Sequence, residues 1–588
     1  MECLSMEVAT HRFSGAGLDH LLPKESSLVM NSAEPGSESL FVQLTDSDGN
    51  EAGSPIWLPI SITPDKLTNL LNGILCKDDD QPLTYDFYVG DVQLLDDLRT
   101  ALVQTRAKHA DSKQILDTHN SAGLEAVVRV VYQAQAVFRV RPVTRCTSTL
   151  PGHKGAVLVA QFSPDARCLA TGSGDQTVRF WDLNTELPST TGTNAHRAPV
   201  LCLAWSPDAL RLATGCQGGV VCLWQESDVG GLWSLCSGKP LSRPSMSATP
   251  ASSRGRWIRS LAWRPLHLDP DCRKLVVAYQ DSCIVIWDTW TGQPLLTLTG
   301  HDKPVVCLRW GGSDLLYSAS QDRTIRVWRS TDGVLCRTLS LHGHWVNCLA
   351  LSTDYVLRTG AFDPANAEHI RPLPPKKDDA KRRGELRIRS EELYQKMKGS
   401  GPERLVAGSD DNTLSLWQPE VEKKPLAPRM VGHQGVVNDV KFSPDARLIA
   451  SASFDHSVKI WDGFTGQFLA TLFGHVQEVY LVTWSSDSRL LVSCSKDSTL
   501  KLWSLSEIRR WGQEAATVSE KDRKKQIVAA DVAGKHTGTS GRGVHQRRRH
   551  LLHDLPGHAD AVYALDWSPD GQRVVSGGKD RVLKIWRA

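Results

Sequence analysis

Short runs in which apolar and polar residues alternate fill most of the chain beyond its first quarter. In one stretch, residues 157–162, 168–171 and 178–181 form three such runs, and turn residues at 163–165 and 174–176 separate them. Short strands punctuated by Gly, Pro and Asp indicate an all-β structure. Helices would need a 3.6-residue apolar period over longer stretches than these.

Tryptophan shows that this pattern repeats. Eight of the nineteen tryptophans stand at the end of corresponding units, and four of the seven intervals between them span 41 to 44 residues. Self-similarity near this period is typical of propellers and solenoids. The eight residues are Trp181, Trp224, Trp287, Trp328, Trp417, Trp461, Trp503 and Trp586.

Two polar positions recur with the tryptophan. A Gly-His pair opens six units, and an aspartate lies six residues before the tryptophan in seven. The histidines are His153, His301, His344, His433, His475 and His558, and the aspartates are Asp175, Asp281, Asp322, Asp411, Asp455, Asp497 and Asp580. The second unit has Ala195-His196 but Gly218 in place of the aspartate, and the third has Ser253-Arg254 in place of Gly-His.

These positions resemble the WD-repeat family from about residue 144 to 588. In that family the aspartate accepts hydrogen bonds from its own turn and from the histidine, and a serine eight residues before the tryptophan, such as Ser173, joins them. We predict a buried structural network that fixes the geometry of each blade. A catalytic dyad is the alternative interpretation, but an active site would not recur around a ring.

The C-terminus predicts how the ring closes. A blade needs four strands, yet the chain stops at Ala588, where the third strand of the last unit ends. Residues 143–150 precede the first Gly-His pair and have no other unit to join. We predict that they supply the missing strand of an eight-bladed propeller, because a closed ring protects its sheet edges.

Two charged insertions interrupt the repeats, at about residues 360–403 and 505–554. Both are poor in large apolar residues and are predicted to be mobile surface loops, with a short helix at 391–397 in the first. Their basic runs fit either a solvated spacer or an arm that contacts RNA phosphates or directs nuclear import.

The N-terminal part follows a different pattern. Residues 1–37 are predicted to be disordered, and residues 38–142 to form a small α+β domain. Strands at 40–44 and 56–60 are followed by a helix that begins at Thr63-Pro64, with an apolar face of Leu67, Leu70, Leu71 and Ile74. A strand at 87–89, a short helix at 94–103 and a strand at 127–132 complete a ubiquitin-like order.

Composition narrows the classes of function. The net charge is only +3 and no apolar run could span a membrane, nor is there a secretory signal. The fourteen cysteines contain no C-x-x-C pair, so we expect no metal site of the protein's own. Without a phosphate loop or nucleophile elbow, we expect no enzyme, no cofactor and no small-molecule substrate.

A ubiquitin-like domain fused to eight WD units resembles the Notchless family of ribosome-assembly factors. The residues that carry this resemblance are the linker at 135–146, Trp345-Val346-Asn347, the stretch at 351–355 and the stretch at 450–455. The second insertion is longer than the family pattern leads us to expect.

The resemblance implies a non-catalytic factor for assembly of the large (60S) subunit in the nucleus and nucleolus. The propeller would dock on the pre-60S particle through the particle's proteins, with its RNA as a second surface open to contact. The N-terminal domain (the NLE domain) would bind the metal-ion-dependent adhesion site of midasin, a giant AAA ATPase whose ATP hydrolysis would remodel the particle. Glu125, just before the last strand, matches the family's acidic residue that supplies a carboxylate to the partner's Mg²⁺.

Other interpretations stay open. Glu125 can also be interpreted as an ordinary surface glutamate, in which case Asp91, Asp96 and Asp97 are the fallback carboxylates for the metal contact. The alternative function is a WD-repeat substrate receptor of a ubiquitin ligase or a signalling adaptor in the Notch pathway. No Gly-Gly tail ends the N-terminal domain and no F-box-like segment precedes the propeller.

Overall fold

The structure is a computed structural model in which two compact units divide the chain, Met1–Val137 and Phe138–Ala588. The boundary predicted between residues 142 and 143 lies a few residues further along the chain. The structure describes residues 39–46, 52–60, 62–74, 85–89, 92–94, 98–99, 128–134, 139–192, 195–227, 232–236, 241, 257–363, 380–399, 401–421, 424–506, 508 and 550–588. The disorder predicted for residues 1–37 and most of the second insertion lie outside these residues.

A five-stranded mixed sheet and one helix form the described part of the first unit. Its elements are β1 (Ser39–Asp46), β2 (Ile56–Pro59), helix α1 (Pro64–Ile74), β3 (Tyr85–Val89), β4 (Val92–Gln93) and β5 (Val128–Ala134). The strand order is β2-β1-β5-β3-β4, and β1 and β5 run parallel. The predicted strands and α1 are present, whereas β4 was not predicted. The helix expected at 94–103 falls largely outside the described residues.

The apolar face predicted for α1 packs on this sheet. Leu67 and Leu71 are buried, and Leu70 and Ile74 are partly buried against the same core, which also contains Phe87. Burial of each leucine contributes about 1.5–3 kcal/mol. The helix therefore holds its place through the leucine spacing that the sequence displays.

Eight four-stranded antiparallel sheets, typical of WD-repeat blades, make up the described part of the second unit. The first four sheets are β7–β10 (Val157–Phe162, Cys168–Ser173, Val178–Asp182, Pro188–Gly192), β11–β14 (Val200–Trp205, Arg211–Cys216, Val221–Glu226, Trp233–Leu235), β15–β18 (Ile258–Trp263, Lys274–Tyr279, Ile284–Asp288, Gln293–Leu298) and β19–β22 (Val305–Trp310, Leu315–Ser320, Thr324–Arg329, Leu335–Ser340). The next three are β23–β26 (Val346–Leu351, Leu405–Ser409, Thr413–Trp417, Met430–Val431), β27–β30 (Val437–Phe442, Leu448–Ser453, Ser457–Asp462, Phe468–Phe473) and β31–β34 (Val479–Trp484, Leu490–Ser495, Thr499–Ser504, Leu551–Pro556). The eighth combines β35–β37 (Val562–Trp567, Arg573–Gly578, Leu583–Arg587) with β6 (Arg145–Leu150).

The fourth strand of the eighth sheet is β6, which lies within the predicted residues 143–150. Strand β6 pairs antiparallel with β37, with Leu150 opposite Leu583 and Arg145 opposite Arg587. The amide of Thr144 extends the ladder by donating to the carbonyl of Arg587 at 2.9 Å. The predicted pairing of residues 143–150 with the last unit is therefore present.

Hydrophobic cores lie between neighbouring sheets, including the first and the eighth. One cluster of buried side chains joins Val157 and Phe162 of the first sheet to Val575 and Ile585 of the eighth. In the same interface the amide of Phe162 donates to the Asp566 carboxylate at 2.8 Å. The first and last sheets in the chain therefore contact each other directly.

The first insertion contains a long helix, so the prediction of a mobile loop there is wrong for residues 380–399. The helix spans Ala380–Lys398, and Leu386, Ser390 and Tyr394 form a stripe of packed residues with a spacing of four. The Tyr394 ring stacks on His267 with 4.6 Å between ring centroids. A few inward-facing side chains are enough to hold a helix whose other faces are charged.

Candidate functional site

The recurring polar residues form a chain of hydrogen bonds inside each regular sheet. In the sixth sheet, His433 Nδ1 lies 2.7 Å from Asp455 Oδ2, and His433 Nε2 lies 2.8 Å from Ser451 Oγ. The indole Nε1–H of Trp461 donates to the same hydroxyl at 2.9 Å. Because a carboxylate only accepts, the imidazole donates through Nδ1 and accepts the Ser451 hydroxyl at Nε2.

The same arrangement occurs in five sheets, where the histidine Nδ1 lies 2.6 to 3.1 Å from the aspartate. These sets are His153, Asp175 and Trp181; His301, Asp322 and Trp328; His433, Asp455 and Trp461; His475, Asp497 and Trp503; and His558, Asp580 and Trp586. The histidine side chains are no more than 1% exposed. Each set is thus closed to solvent and its members bond to one another.

The environment fixes the charge of both members of the pair. Burial alone would raise the pKa of Asp455, but hydrogen bonds from His433 and Ser457 outweigh it and hold the pKa of this carboxyl well below its usual range. Burial lowers the pKa of His433. At neutral pH the pair is therefore a carboxylate and a neutral imidazole, which agrees with the direction of the hydrogen bonds.

The sequence analysis missed the hydroxyl that links the histidine to the tryptophan. It lies ten residues before the tryptophan, whereas the serine expected to join, eight residues before, bonds the turn instead: Ser173 Oγ donates to the Ala156 carbonyl and accepts from the amide of Asp175. The linking residues are Thr171, Thr214, Ser318, Ser451, Ser493 and Ser576. A hydroxyl at this offset in six of eight units was a readable signal.

The fifth sheet corrects one assignment. His342, not His344, forms the buried pair: its Nδ1 lies 3.0 Å from Asp411 Oδ2, while His344 is half-exposed beside Asp410. His344 was predicted because it follows a glycine, as the histidine does in most other units, but the pairing histidine here precedes that glycine. The amide of Gly343 donates to Asp411, as the residue after the histidine does in the regular sheets.

The fifth sheet also moves the linking hydroxyl to a neighbouring strand. Ala407 occupies the usual position, and Ser415, its cross-strand partner, supplies the hydroxyl instead. Ser415 Oγ lies 2.7 Å from His342 Nε2 and accepts from Trp417 Nε1 at 2.8 Å. The network is conserved in its geometry although the residue that supplies the oxygen has changed.

This exchange predicts a rescue. Ser415→Ala leaves two buried ring nitrogens without their partner, so we expect it to lower the free energy of unfolding by about 1–3 kcal/mol. Adding Ala407→Ser in the same chain should restore much of that loss, since a serine stands at this position in four other sheets. Denaturant unfolding of both variants, with Ala407→Ser alone as control, checks this. A double variant no more stable than Ser415→Ala would contradict it.

The second and third sheets lack parts of the network, in the two units that depart from the motif. In the second, Cys222 Sγ lies 3.8 Å from His196 Nδ1, and burial lowers the pKa of His196 to about 4. In the third, Val277 replaces the hydroxyl residue, and Trp287 Nε1 has no partner within the described residues. Asp281 Oδ1 accepts from the Cys283 amide in its own turn at 3.3 Å.

A segment from the fifth sheet reaches sheets that are far from it in chain order. After β23 a short helix, Asp354–Thr359, places Arg358 against Asp566 of the eighth sheet at 2.5 Å. Arg358 also donates to the Phe162 carbonyl of the first sheet at 3.4 Å. Gly360 adopts φ +61°, and a Cβ there would lie 2.5 Å from the Pro207 carbonyl in the second sheet. This segment therefore ties together sheets that do not adjoin the fifth.

The buried carboxylate of Glu403 fixes the end of the first insertion. Glu403 is fully buried and accepts from the Gly312 amide at 2.9 Å and the Thr353 hydroxyl at 2.8 Å. Burial raises the pKa of Glu403. Glu403, at the end of the insertion, thus connects the fourth sheet to Thr353, which precedes the short helix.

The proposed partner-binding residue cannot be placed, because Glu125 lies outside the described residues, as do Asp91, Asp96 and Asp97. Within the described ranges, no group of three or more His, Cys, Asp or Glu residues could hold a metal ion. No helix there is long and apolar enough to cross a membrane.

Repeated four-stranded sheets with a buried Trp–hydroxyl–His–Asp network define a WD-repeat protein. The WD domain, G-beta repeat family matches residues 144–182, 188–225, 292–329, 425–462, 466–504 and 549–587. The matched ranges leave out the first three strands of the third sheet, whose unit lacks the histidine, and of the fifth sheet, which the insertion divides. The NLE (NUC135) domain matches residues 40–102.

Similar proteins match this chain over most of their length. The chain is 46% identical to Protein Notchless of Drosophila melanogaster over 71% of this chain and 77% of that protein. It is 43% identical to the Notchless protein homolog of Arabidopsis thaliana, over 75% and 83%. It is 38% identical to Ribosome assembly protein 4 of Saccharomyces cerevisiae, over 76% and 82%. The chain belongs to the family of Notchless and ribosome assembly protein 4.

Proposed function

We propose that this protein is a non-catalytic assembly factor for the large ribosomal subunit. The observation that carries the proposal is the similarity to Ribosome assembly protein 4, which spans 76% of this chain and 82% of that protein. A relative from Chaetomium thermophilum with the same name is 36% identical over 73% of this chain. Similarity over this length extends across most of both proteins.

In this proposal the second unit is a closed eight-bladed propeller of residues 143–588, and residues 38–142 form a ubiquitin-like domain. Eight four-stranded sheets, the contact between the first and eighth, and the pairing of β6 with β37 support the closed ring. The order β2-β1-β5-β3-β4 with its parallel central pair supports the ubiquitin-like assignment.

The burial and hydrogen bonding of the recurring histidines support a role as a scaffold. A catalytic His–Asp pair must reach a substrate, whereas these imidazoles are at most 1% exposed and both ring nitrogens already have partners. Their bonds instead satisfy buried polar groups and hold neighbouring strands together. The propeller is therefore suited to present a rigid surface.

The partners follow from the family resemblance. The propeller docks on the pre-60S particle, and the N-terminal domain offers the Glu125 carboxylate to the Mg²⁺ of midasin's adhesion site. ATP hydrolysis by midasin then acts on the particle through this protein, in the nucleus and nucleolus. The two charged insertions are available to contact ribosomal RNA. In the first of them, the helix Ala380–Lys398 carries seven basic residues and three acidic ones.

Sedimentation of an extract from the organism's own cells tests the function. We expect the protein to move with large-subunit precursors and to shift to lighter fractions when their synthesis is blocked. Migration with a ubiquitin ligase complex or with a membrane receptor, away from ribosomal precursors, would favour the substrate receptor or Notch-pathway adaptor and would contradict the proposal.

A further inference from the structure

Just before the closing strand β6, the backbone of Val140 is hydrogen-bonded to the seventh sheet, although β6 itself belongs to the eighth. Val140 and Val143 are almost fully buried in a core that also contains Leu490 of β32 and Trp567 of β35. The chain that comes from the N-terminal unit therefore enters the core between the seventh and eighth sheets before it becomes a strand.

One charged pair binds both backbone polar groups of Val140. Its amide donates to Asp487 Oδ2 at 2.9 Å, and its carbonyl accepts from Arg489 Nη2 at 3.2 Å. Arg489 Nε also donates to Asp487 Oδ2 at 2.7 Å, and the Asp487 side chain is only 5% exposed. Hydrogen bonds to charged groups are stronger than neutral ones, most of all away from water.

The sixth sheet carries the same turn at Asp445. There, Ser443 Oγ donates to Asp445 Oδ1 at 2.5 Å and the Arg447 amide donates to the same oxygen at 3.3 Å. In the seventh sheet, Asp487 Oδ1 closes the turn in the same way, with Ser485 Oγ at 2.5 Å and the Arg489 amide at 3.2 Å. Oδ1 of the aspartate therefore closes the turn in both sheets, and Oδ2 of Asp487 accepts from the linker amide of Val140.

The position of this contact along the chain determines which bonds carry the load first when the N-terminal unit is pulled. Strand β6 has only β37 as a neighbour in its sheet, and four of its six residues are exposed. A strand at an edge can peel away one pair at a time, beginning here at Arg145. The bonds at Val140 come earlier in the chain and belong to a different sheet.

We propose that Asp487 and Arg489 are positioning residues that fix the linker at Val140 and carry tension from the N-terminal unit into the ring before it reaches β6. The source of tension rests on the proposed function, in which an ATPase acts on the N-terminal domain. The contact divides the load between the seventh and eighth sheets and so protects the closing strand.

The test is a force-clamp measurement on the purified full chain, held by its N-terminus and by a tag inserted at the exposed turn of Asp332 in the fourth sheet. We expect Asp487→Ala to release β6 at least about tenfold faster than wild type at the same force. Asp445→Ala, the matched change in the sixth sheet, should stay within about twofold of wild type. Equal release rates for the two variants would overturn the proposal.

Two further measurements separate a load-bearing role from a structural one. Without force, Asp487→Ala and Asp445→Ala should melt at similar temperatures, while hydrogen exchange at the Val140 amide rises only in the former. If Asp487→Ala does not fold, Arg489→Ala against Arg447→Ala gives the same comparison, because Arg489 also bonds Val140. Release rates that do not differ in this second pair would likewise overturn the proposal.

These measurements need neither an ATPase nor a ribosomal particle. A chain that fails to sediment with precursors could still show the anchor, and a chain that sediments as proposed could still lack it. The two failures are therefore distinguishable.

Discussion

A chain that lacks residues 1–151 is expected to lose the cooperative unfolding of the second unit, whereas a chain that lacks only residues 1–138 should retain it. The longer deletion removes β6 together with Val143 and Leu150, which are buried at 0% and 9% exposure. Burial of these two side chains contributes about 3–6 kcal/mol. The loss also leaves β37 as an open edge beside the buried Trp586, a template for pairing between molecules.

Thermal unfolding and size-exclusion chromatography of both deletions check this prediction. The shorter deletion keeps Val140 and its bonds to Asp487 and Arg489, so it controls for removal of the N-terminal unit itself. We expect it to be monomeric with a single transition, and the longer deletion to associate or to melt without cooperativity. A longer deletion that stays monomeric and melts at the same temperature would show that β6 does not support the ring.

Local signals in the sequence were sufficient for the regular sheets. The tryptophan period, the Gly-His pairs and the turn residues located most strands, because all sheets except the eighth take their four strands in chain order. The sequence also predicted the pairing of β6 with β37, since a unit that ends at Trp586 lacks a strand and residues 143–150 have no other sheet to join.

Predictions failed where one position could be filled in two ways. His342 and His344 flank the same glycine, and only the three-dimensional register selects His342. The hydroxyl supplied by Ser415 instead of Ala407 follows from cross-strand pairing, which is not visible along one strand. The short helix predicted at 391–397 is present, but residues 380–390 of the same helix were mistaken for a loop, because the packed stripe of the helix contains only one large aromatic residue, Tyr394.

Contacts between distant parts of the chain were beyond the reach of the sequence. Arg358 meets Asp566, and Val140 meets Asp487 across 347 positions. Asp487 has a serine two residues before it and an arginine two residues after it, as Asp445 does, so this spacing does not single out Asp487. Such contacts depend on where the packed sheets place each loop. The site at Glu125 lies outside the described residues and stays a prediction.

Glu125→Ala is expected to abolish binding to the adhesion domain of midasin. A single carboxylate that completes the coordination of Mg²⁺ cannot be replaced by a methyl group, and loss of one member of a buried charge pair lowers affinity roughly 100-fold or more. Glu125→Gln should lose nearly as much, because it keeps the shape but not the negative charge. Asp91→Ala, which removes another carboxylate of the same domain, is the matched control and should bind like wild type.

The affinity of the full-length protein for the isolated midasin adhesion domain, measured by calorimetry with Mg²⁺ and again with EDTA, tests the central claim most directly. The account predicts Mg²⁺-dependent binding that Asp91→Ala keeps and Glu125→Ala loses. Equal affinities for wild type and Glu125→Ala, or binding that EDTA does not weaken, would contradict it.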